Sequence, residues 1–261
     1  LSEIVVEGVS HRYSHGAGSG NLTALDETSI RIPSEQIVSV VGPSGCGKTT
    51  LLNLIAGFLR PTSGSVWVDG RVVDGPGADR AVVFQADAVF PWLTVADNLS
   101  YGPRMRGVPK SEWAPRVERF LDLVGLSEFS SAHPKELSGG MRKRVDLARA
   151  YVNDPSVLLL DEPFGALDVF TKEAIQGALL AIAQEEPRTI LFVTHDIEEA
   201  IFVGDRVLVM TPRPGRVASD IPVPFARPRT MELRAVPAFQ QMRLQIAGLL
   251  SREESTEAGA R

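Results

Sequence analysis

The stretch that most restricts how this chain folds covers residues 36–56. Residues 36–41 are apolar almost throughout, which predicts a strand buried on both faces. They run directly into Gly42-Pro43-Ser44-Gly45-Cys46-Gly47-Lys48-Thr49, and residues 48–56 predict a helix that Gly57 is placed to cap. Glycines let the backbone N–H groups of such a loop turn inward around phosphates without Cβ clashes. Lys48 supplies positive charge at the β- and γ-phosphates, Thr49 offers a hydroxyl to Mg²⁺, and the positive end of the helix faces the anion. Strand, loop and helix in this order predict an α/β core with a nucleotide site.

The rest of the chain fits that core. Strands are expected at residues 3–9, 29–32, 65–68, 71–73, 81–84, 157–160, 189–193 and 207–210. Asp69-Gly70 marks a hairpin between two of them. Helices are expected at 171–184 and from about 197. Residues 15–21, rich in Gly and Ser, read as a surface loop. Between about 86 and 151 no strand is convincing: residues 117–124 are amphipathic and 140–151 read as a helix, so this stretch predicts a helical lobe inserted into the core. Alternating strands and helices elsewhere imply a mainly parallel sheet. Residues 211–224 are Pro-rich and read as surface chain, a last helix is expected near 238–250, and 251–261 read as frayed.

Bulk properties narrow the function. With 261 residues, 44% of them hydrophobic, the chain can bury one sizeable core or one core with an inserted lobe. No apolar run reaches the roughly 18 residues of a membrane-spanning helix. The start, Leu1-Ser2-Glu3, has neither a basic region nor an apolar stretch, so no secretory signal is expected, and the absent Met suggests a trimmed start. A net charge of −5 argues against nucleic acid as the main partner. The densest basic group, Arg142, Lys143 and Arg144, reads as the polar face of a helix. The one cysteine, Cys46, cannot form an internal disulfide and reads as a small residue in a tight loop, which fits a reducing cytoplasm.

Several strand ends carry reactive side chains. The apolar run 157–160 ends in Asp161-Glu162; Asp161 would hold Mg²⁺ through water, and Glu162 would polarise an attacking water as general base. His195 follows Val193-Thr194 and would contact the γ-phosphate. Gln85, at the junction of core and lobe, would reach Mg²⁺ and water in one state and withdraw in another. The Tyr13 ring would stack on adenine, or simply pack. Leu137-Ser138-Gly139-Gly140-Met141 opens a helix, with Ser138 as N-cap and free N–H groups for an anion. Gly165-Ala166-Leu167-Asp168 follows the carboxylate pair.

This ordered set resembles the nucleotide-binding subunits of ATP-binding-cassette (ABC) transporters, from about residue 3 to 240. The resemblance implies a P-loop NTPase fold: a RecA-like, mainly parallel sheet core, an antiparallel β subdomain and an inserted helical lobe. It implies one domain over 1–240, with core at 1–85 and 152–215, lobe at about 86–151, and a partly helical extension at 216–261. Gly42 through Thr50 (with Pro43, Ser44, Gly45, Cys46, Gly47, Lys48 and Thr49) and Tyr13 would bind ATP; Thr49, Gln85 and Asp161 would serve Mg²⁺; Lys48, Gln85, Glu162 and His195 would be catalytic. Leu137, Ser138, Gly139, Gly140 and Met141 would close over ATP held by a second copy of the cassette, with Asp168 coupling the two sites. The implied partners are that second copy, two transmembrane permease subunits docking near residues 86–99, and a solute-binding protein; the implied place is the cytoplasmic face of the inner membrane. Phe90-Pro91-Trp92 reads either as docking surface or as lobe core. Asp74-Gly75-Pro76-Gly77-Ala78-Asp79-Arg80, Phe90-Pro91-Trp92 and Pro212-Arg213-Pro214-Gly215-Arg216-Val217 resemble the nitrate, sulfonate and taurine importer group, with Lys143 standing where that pattern usually has Gln. An exporter or lipid-transport cassette shares the same catalytic residues, and a soluble ABC ATPase acting on DNA or ribosomes is the reading from another class.

Overall fold

The computed structural model describes residues 2–14, 21–165 and 167–258, so most of the expected loop at 15–21, and Ala166, lie outside the described residues. The chain forms two compact units, Leu1–Gly77 with Arg188–Arg261, and Ala78–Pro187. The first unit begins with β1 (Ile4–Tyr13), β2 (Leu22–Ile32), β3 (Ile37–Val41), α1 (Lys48–Ala56), β4 (Ser63–Val68) and β5 (Arg71–Val72). The second holds β6 (Arg80–Val83), α2 (Val95–Met105), α3 (Lys110–Leu123), α4 (Gly139–Val152), β7 (Val157–Asp161) and α5 (Val169–Glu185). The first then resumes with β8 (Thr189–Val193), α6 (Ile197–Val203), β9 (Arg206–Met210), β10 (Val217–Pro222) and α7 (Pro237–Ala258).

In the first unit, β2, β1, β4 and β5 form an antiparallel sheet in that order. Asp69 and Gly70 both take left-handed backbone, φ 53° and 67°, as a tight turn between β4 and β5 requires. β3, buried along its whole length, pairs in parallel with β8 on one side and β9 on the other. α1 has the bounds its sequence predicts, and Gly57 closes it with φ 80° and its N–H on Asn53 O and Leu54 O.

Several expectations for this unit need correction, beginning with the first two strands, which run to Tyr13 and from Leu22 rather than over 3–9 and 29–32, because their cross-strand pairing continues through those residues. The Pro-rich stretch 211–224 contains a strand, β10, antiparallel to β9 from Val217 opposite Met210 to Pro222 opposite Arg206. It is an edge strand, so Pro222 at its end removes no needed donor. Its alternation is shallow because no residue of it is fully buried. The last helix, α7, runs eight residues past its expected end, through Ser251 to Ala258, where the expected fraying is absent. Phe239, Met242 and Ile246 bury one stripe of α7, and Arg252, Glu253, Glu254, Glu257 and Ala258 beyond it are good helix formers.

In the second unit, β6 and β7 pair in parallel from Arg80 opposite Val157 to Val83 opposite Leu160. The strand stops one residue before its expected end, leaving Phe84 exposed. α4 packs against α2, α3, α5 and β6, with Val145, Leu147, Ala148 and Tyr151 buried. Arg116 and Arg119 of α3 clasp Glu186, just past α5, at 2.6 and 2.7 Å. Among the described residues, no helix is long and apolar enough to cross a membrane.

Candidate functional site

The phosphate loop lies in the first unit, between β3 and α1. Gly47 stands at the N-cap of α1 with φ 104°, and no side chain caps the helix. A Cβ at Gly47 would lie 2.7 Å from Leu25 Cδ2 and 2.8 Å from Ala24 O, so only glycine fits by space as well as by backbone angle. The uncapped first turn therefore presents amide N–H groups with the dipole behind them. Lys48 is 6% exposed, and its ammonium donates to Gly42 O at 2.8 Å and Pro43 O at 3.0 Å. That fixes a positive charge against the loop. Burial pushes the Cys46 thiol up, with nearby Lys48 opposing, so the thiol stays protonated near neutral pH and serves as packing.

Tyr13 is the last residue of β1 rather than beyond it. Its hydroxyl is 3.1 Å from Thr50 Oγ1, and its ring meets His11 edge-on at 4.7 Å. The structure thus brings Tyr13 to α1. A residue outside the expected site also meets the loop: Arg213 Nε donates to Gly45 O at 3.1 Å. The cis Arg213-Pro214 bond lies in the Pro-rich stretch 211–224. His195 is exposed just after β8. Its flanks are fixed: Thr194 Oγ1 donates to buried Glu199, and Asp196 accepts from the N–H groups of Glu198 and Glu199 to start α6.

The carboxylate turn lies in the second unit. Asp161 ends β7, and Glu162 follows with φ 44°. Left-handed backbone in a residue with a side chain costs on the order of 1–3 kcal/mol and gathers at functional sites. Gln85 Nε2 reaches Glu162 Oε2 at 3.4 Å. A Cβ at Gly165 would stand 3.4 Å from Gln85 Nε2 and 3.7 Å from Glu162 Oε2, in ordinary contact with the pair. With the amide nitrogen turned to Glu162, the Gln85 carbonyl oxygen remains an acceptor suited to a hard cation.

The signature turn lies in the same unit. Ser138 is exposed, and its hydroxyl accepts from Met141 N–H at 3.2 Å to start α4. Leu137 and Gly140 are buried and Gly139 and Met141 half-buried. Any Cβ at Gly140 would overlap Thr171 Cγ2, so glycine lets α4 approach the start of α5 closely. Asp168 caps α5 by accepting from Thr171 N–H at 3.1 Å, and the Thr171 hydroxyl and amide hold its carboxyl below the usual carboxylate range. Of the basic trio expected on a polar face, Lys143 departs: it is 3% exposed and donates to Phe84 O and Gln85 O. The signal available in the sequence was charge at 143, 146 and 149, one row of a helix.

Comparison with known proteins gives the family and the fold. Residues 25–165 match the family model described as ABC transporter. A taurine import ATP-binding protein of Jannaschia sp. is 44% identical over 254 residues, 96% of this chain and 94% of that protein. Another, from Rhizobium johnstonii, is 47% identical over 243 residues, 91% and 92% of the two chains. Among solved structures, the dimeric structure of MJ0796, a bacterial ABC transporter cassette, superposes with a TM-score of 0.73 at 30% identity, covering 85% of this chain and all of that one. A dimeric post-hydrolysis state of the same cassette, bound to ADP and Pi, gives 0.71 at 28% identity with the same coverage. The fold is that of a P-loop NTPase, and the chain belongs to the ABC transporter family as an ATP-binding cassette.

Proposed function

We propose that this chain is the ATP-hydrolysing subunit of an ABC importer, working as one of two paired cassettes on transmembrane permease subunits at the cytoplasmic face of the membrane. The observation that carries the reading is the phosphate loop: an uncapped helix start behind left-handed Gly47, with the Lys48 ammonium held against the loop. Residues 42–50 hold the phosphates, and Tyr13 stacks on the base. Glu162 takes a proton from the attacking water, Gln85 orients Glu162, and His195 contacts the γ-phosphate. Ser138, Gly139 and Gly140 serve the ATP of the partner cassette, next to Asp168. The helices of residues 86–151 form the lobe on which permease subunits dock.

The side chains proposed for Mg²⁺, the Thr49 hydroxyl, the Asp161 carboxylate and the Gln85 amide oxygen, are each a hard oxygen ligand of the kind this ion takes. When bound, the ion neutralises charge that develops on the phosphate oxygens. The names of the relatives support taurine as the imported solute; a related sulfonate or nitrate belongs to the same proposed class, delivered by a solute-binding protein.

The test is ATP hydrolysis by the purified full chain across a range of protein concentrations. Turnover per chain should rise with concentration, because two chains complete each site. A rate per chain that stays constant on dilution would overturn the paired arrangement, and no hydrolysis at any concentration, with or without permease subunits, would overturn the ATPase reading. Ligand binding by the solute-binding protein encoded alongside the permease identifies the solute.

A further inference from the structure

Lys143, Asp146 and Arg149 stand three residues apart on α4, which places them in one row of the helix. The row faces inward: Lys143 is 3% exposed, Asp146 2%, and the Arg149 side chain 15%. Burial lowers the Lys143 ammonium and raises the Asp146 carboxyl, each against the pull of the other's charge. Removing such charges from water costs several kcal/mol each unless partners meet them.

The partners are specific. Lys143 Nζ donates to two main-chain oxygens, Phe84 O at 2.8 Å and Gln85 O at 3.1 Å. It stands 3.9 Å from Asp146 Oδ2, and Asp146 Oδ1 accepts from Arg149 Nη2 at 2.6 Å. The Arg149 guanidinium covers the Phe90 ring, 4.9 Å from its centroid. Phe90 in turn meets Tyr101 at 4.7 Å and Trp92 at 5.6 Å, and Trp92 is 70% exposed. One residue before Lys143, Arg142 bonds Asp87 at 2.7 Å. The backbone that carries Gln85 is thus gripped from one face of the signature helix, and the same row ends on an exposed aromatic cluster.

Stability alone does not account for the row, because a well-packed apolar set of similar volume is commonly as stable as a buried ionic one. An apolar side chain, however, cannot donate to Phe84 O and Gln85 O. We infer that Lys143, supported by Asp146 and Arg149, is a positioning residue for Gln85, fixing the backbone from which its amide reaches Glu162 and linking that backbone to the Phe90, Trp92 and Tyr101 cluster. A displacement of the cluster then moves the Gln85 backbone with it, through the linked charges of Arg149, Asp146 and Lys143. The inference rests on the ATPase reading above, in which Gln85 and Glu162 act at the reacting groups.

The experiment compares the unsubstituted full chain with Lys143→Met, Lys143→Arg and the double variant Lys143→Met/Asp146→Leu, which removes both buried charges together. Lys143→Met should lower kcat about tenfold while KM for Mg·ATP stays within about twofold, since the loss falls on turnover rather than binding. Amide hydrogen exchange at residues 84–88 should quicken about tenfold, and Lys143→Arg should recover most of both. The double variant should fold as well as the unsubstituted chain and still turn over slowly. A folded variant lacking the ammonium but keeping kcat within about twofold would overturn the inference, as would failure of Lys143→Met and the double variant alike to fold, which would make the row a stability element. Failure of the ATPase reading looks different: the unsubstituted chain itself would not hydrolyse ATP, and exchange at 84–88 would then decide alone whether Lys143 holds the Gln85 backbone.

Discussion

Two helices of this protein begin at glycine-bearing turns, and they begin differently. α1 starts behind Gly47, in left-handed backbone, with no side-chain cap and a buried lysine in its first turn. α4 starts behind Ser138, in extended backbone, with the serine hydroxyl already accepting from Met141 N–H and the Arg142 guanidinium engaged by Leu137 O and Asp87. The first turn joins N–H groups that no side chain caps, a dipole and a fixed cation, so it can hold a polyphosphate alone. The second is closed on itself and exposed, and has a hydroxyl proton and glycine amides to add to an anion that something else holds. In the paired arrangement proposed above, the contrast would let one chain supply the strong half of a site and its partner the weak half.

The largest expected effect separates chemistry from both turns. Glu162→Gln should slow hydrolysis about 10²–10⁴-fold, the range for a lost general base, with ATP affinity retained; unchanged turnover in a steady-state assay would remove Glu162 from that role. Ser138→Arg should lower turnover about 100-fold by blocking the weak half, yet leave ATP affinity of the single chain, measured by calorimetry at low concentration, within about twofold. If affinity falls as well, the two turns are not divided as described. Gly47→Ala attacks the strong half. It sets a Cβ against Leu25 and Ala24 in left-handed backbone, and ATP affinity should drop at least about tenfold.

The smallest effect concerns the helix start beside the signature. The Asp168 carboxyl is held below its ordinary value, so its cap stabilises the fold at pH above about 4 and loses that contribution only as pH falls through the lowered value. Asp168→Ala should therefore melt lower than the unsubstituted chain at pH 7, and the gap between their melting curves should close towards pH 3. A gap independent of pH would assign the loss to packing.

Where function presses directly on backbone geometry, the fold could be read from residues alone. The glycines of the phosphate loop, the bounds of α1 and the Asp69-Gly70 turn each follow from a steric demand that few residues satisfy. Reading was poorer where two local signals compete. β10 hides among prolines that an edge strand tolerates, and α2 contains Gly102 and Pro103, both helix breakers, yet persists because Val95, Asn98 and Leu99 are buried. The candidate site shows the same division. Lys48 was proposed from the glycine loop, Glu162 from a strand end and Gln85 from the order of motifs, whereas the left-handed backbone of Glu162 and the burial of Lys143 depend on contacts far apart in the chain. Charge at Lys143 suggested solvent, and its burial follows from main-chain partners at residues 84 and 85, far away in the chain.

Cys46 sits at 0% exposure inside the phosphate loop, as the chain's one thiol. A side chain so enclosed and protonated is a poor nucleophile towards maleimides, so the natural background for site-directed labelling is nearly silent. A new cysteine on an exposed position, such as Phe170 or Leu244, would carry a fluorophore or spin label without first removing the native one. The protein is in that sense already prepared as a molecular ruler for the approach of two copies during turnover.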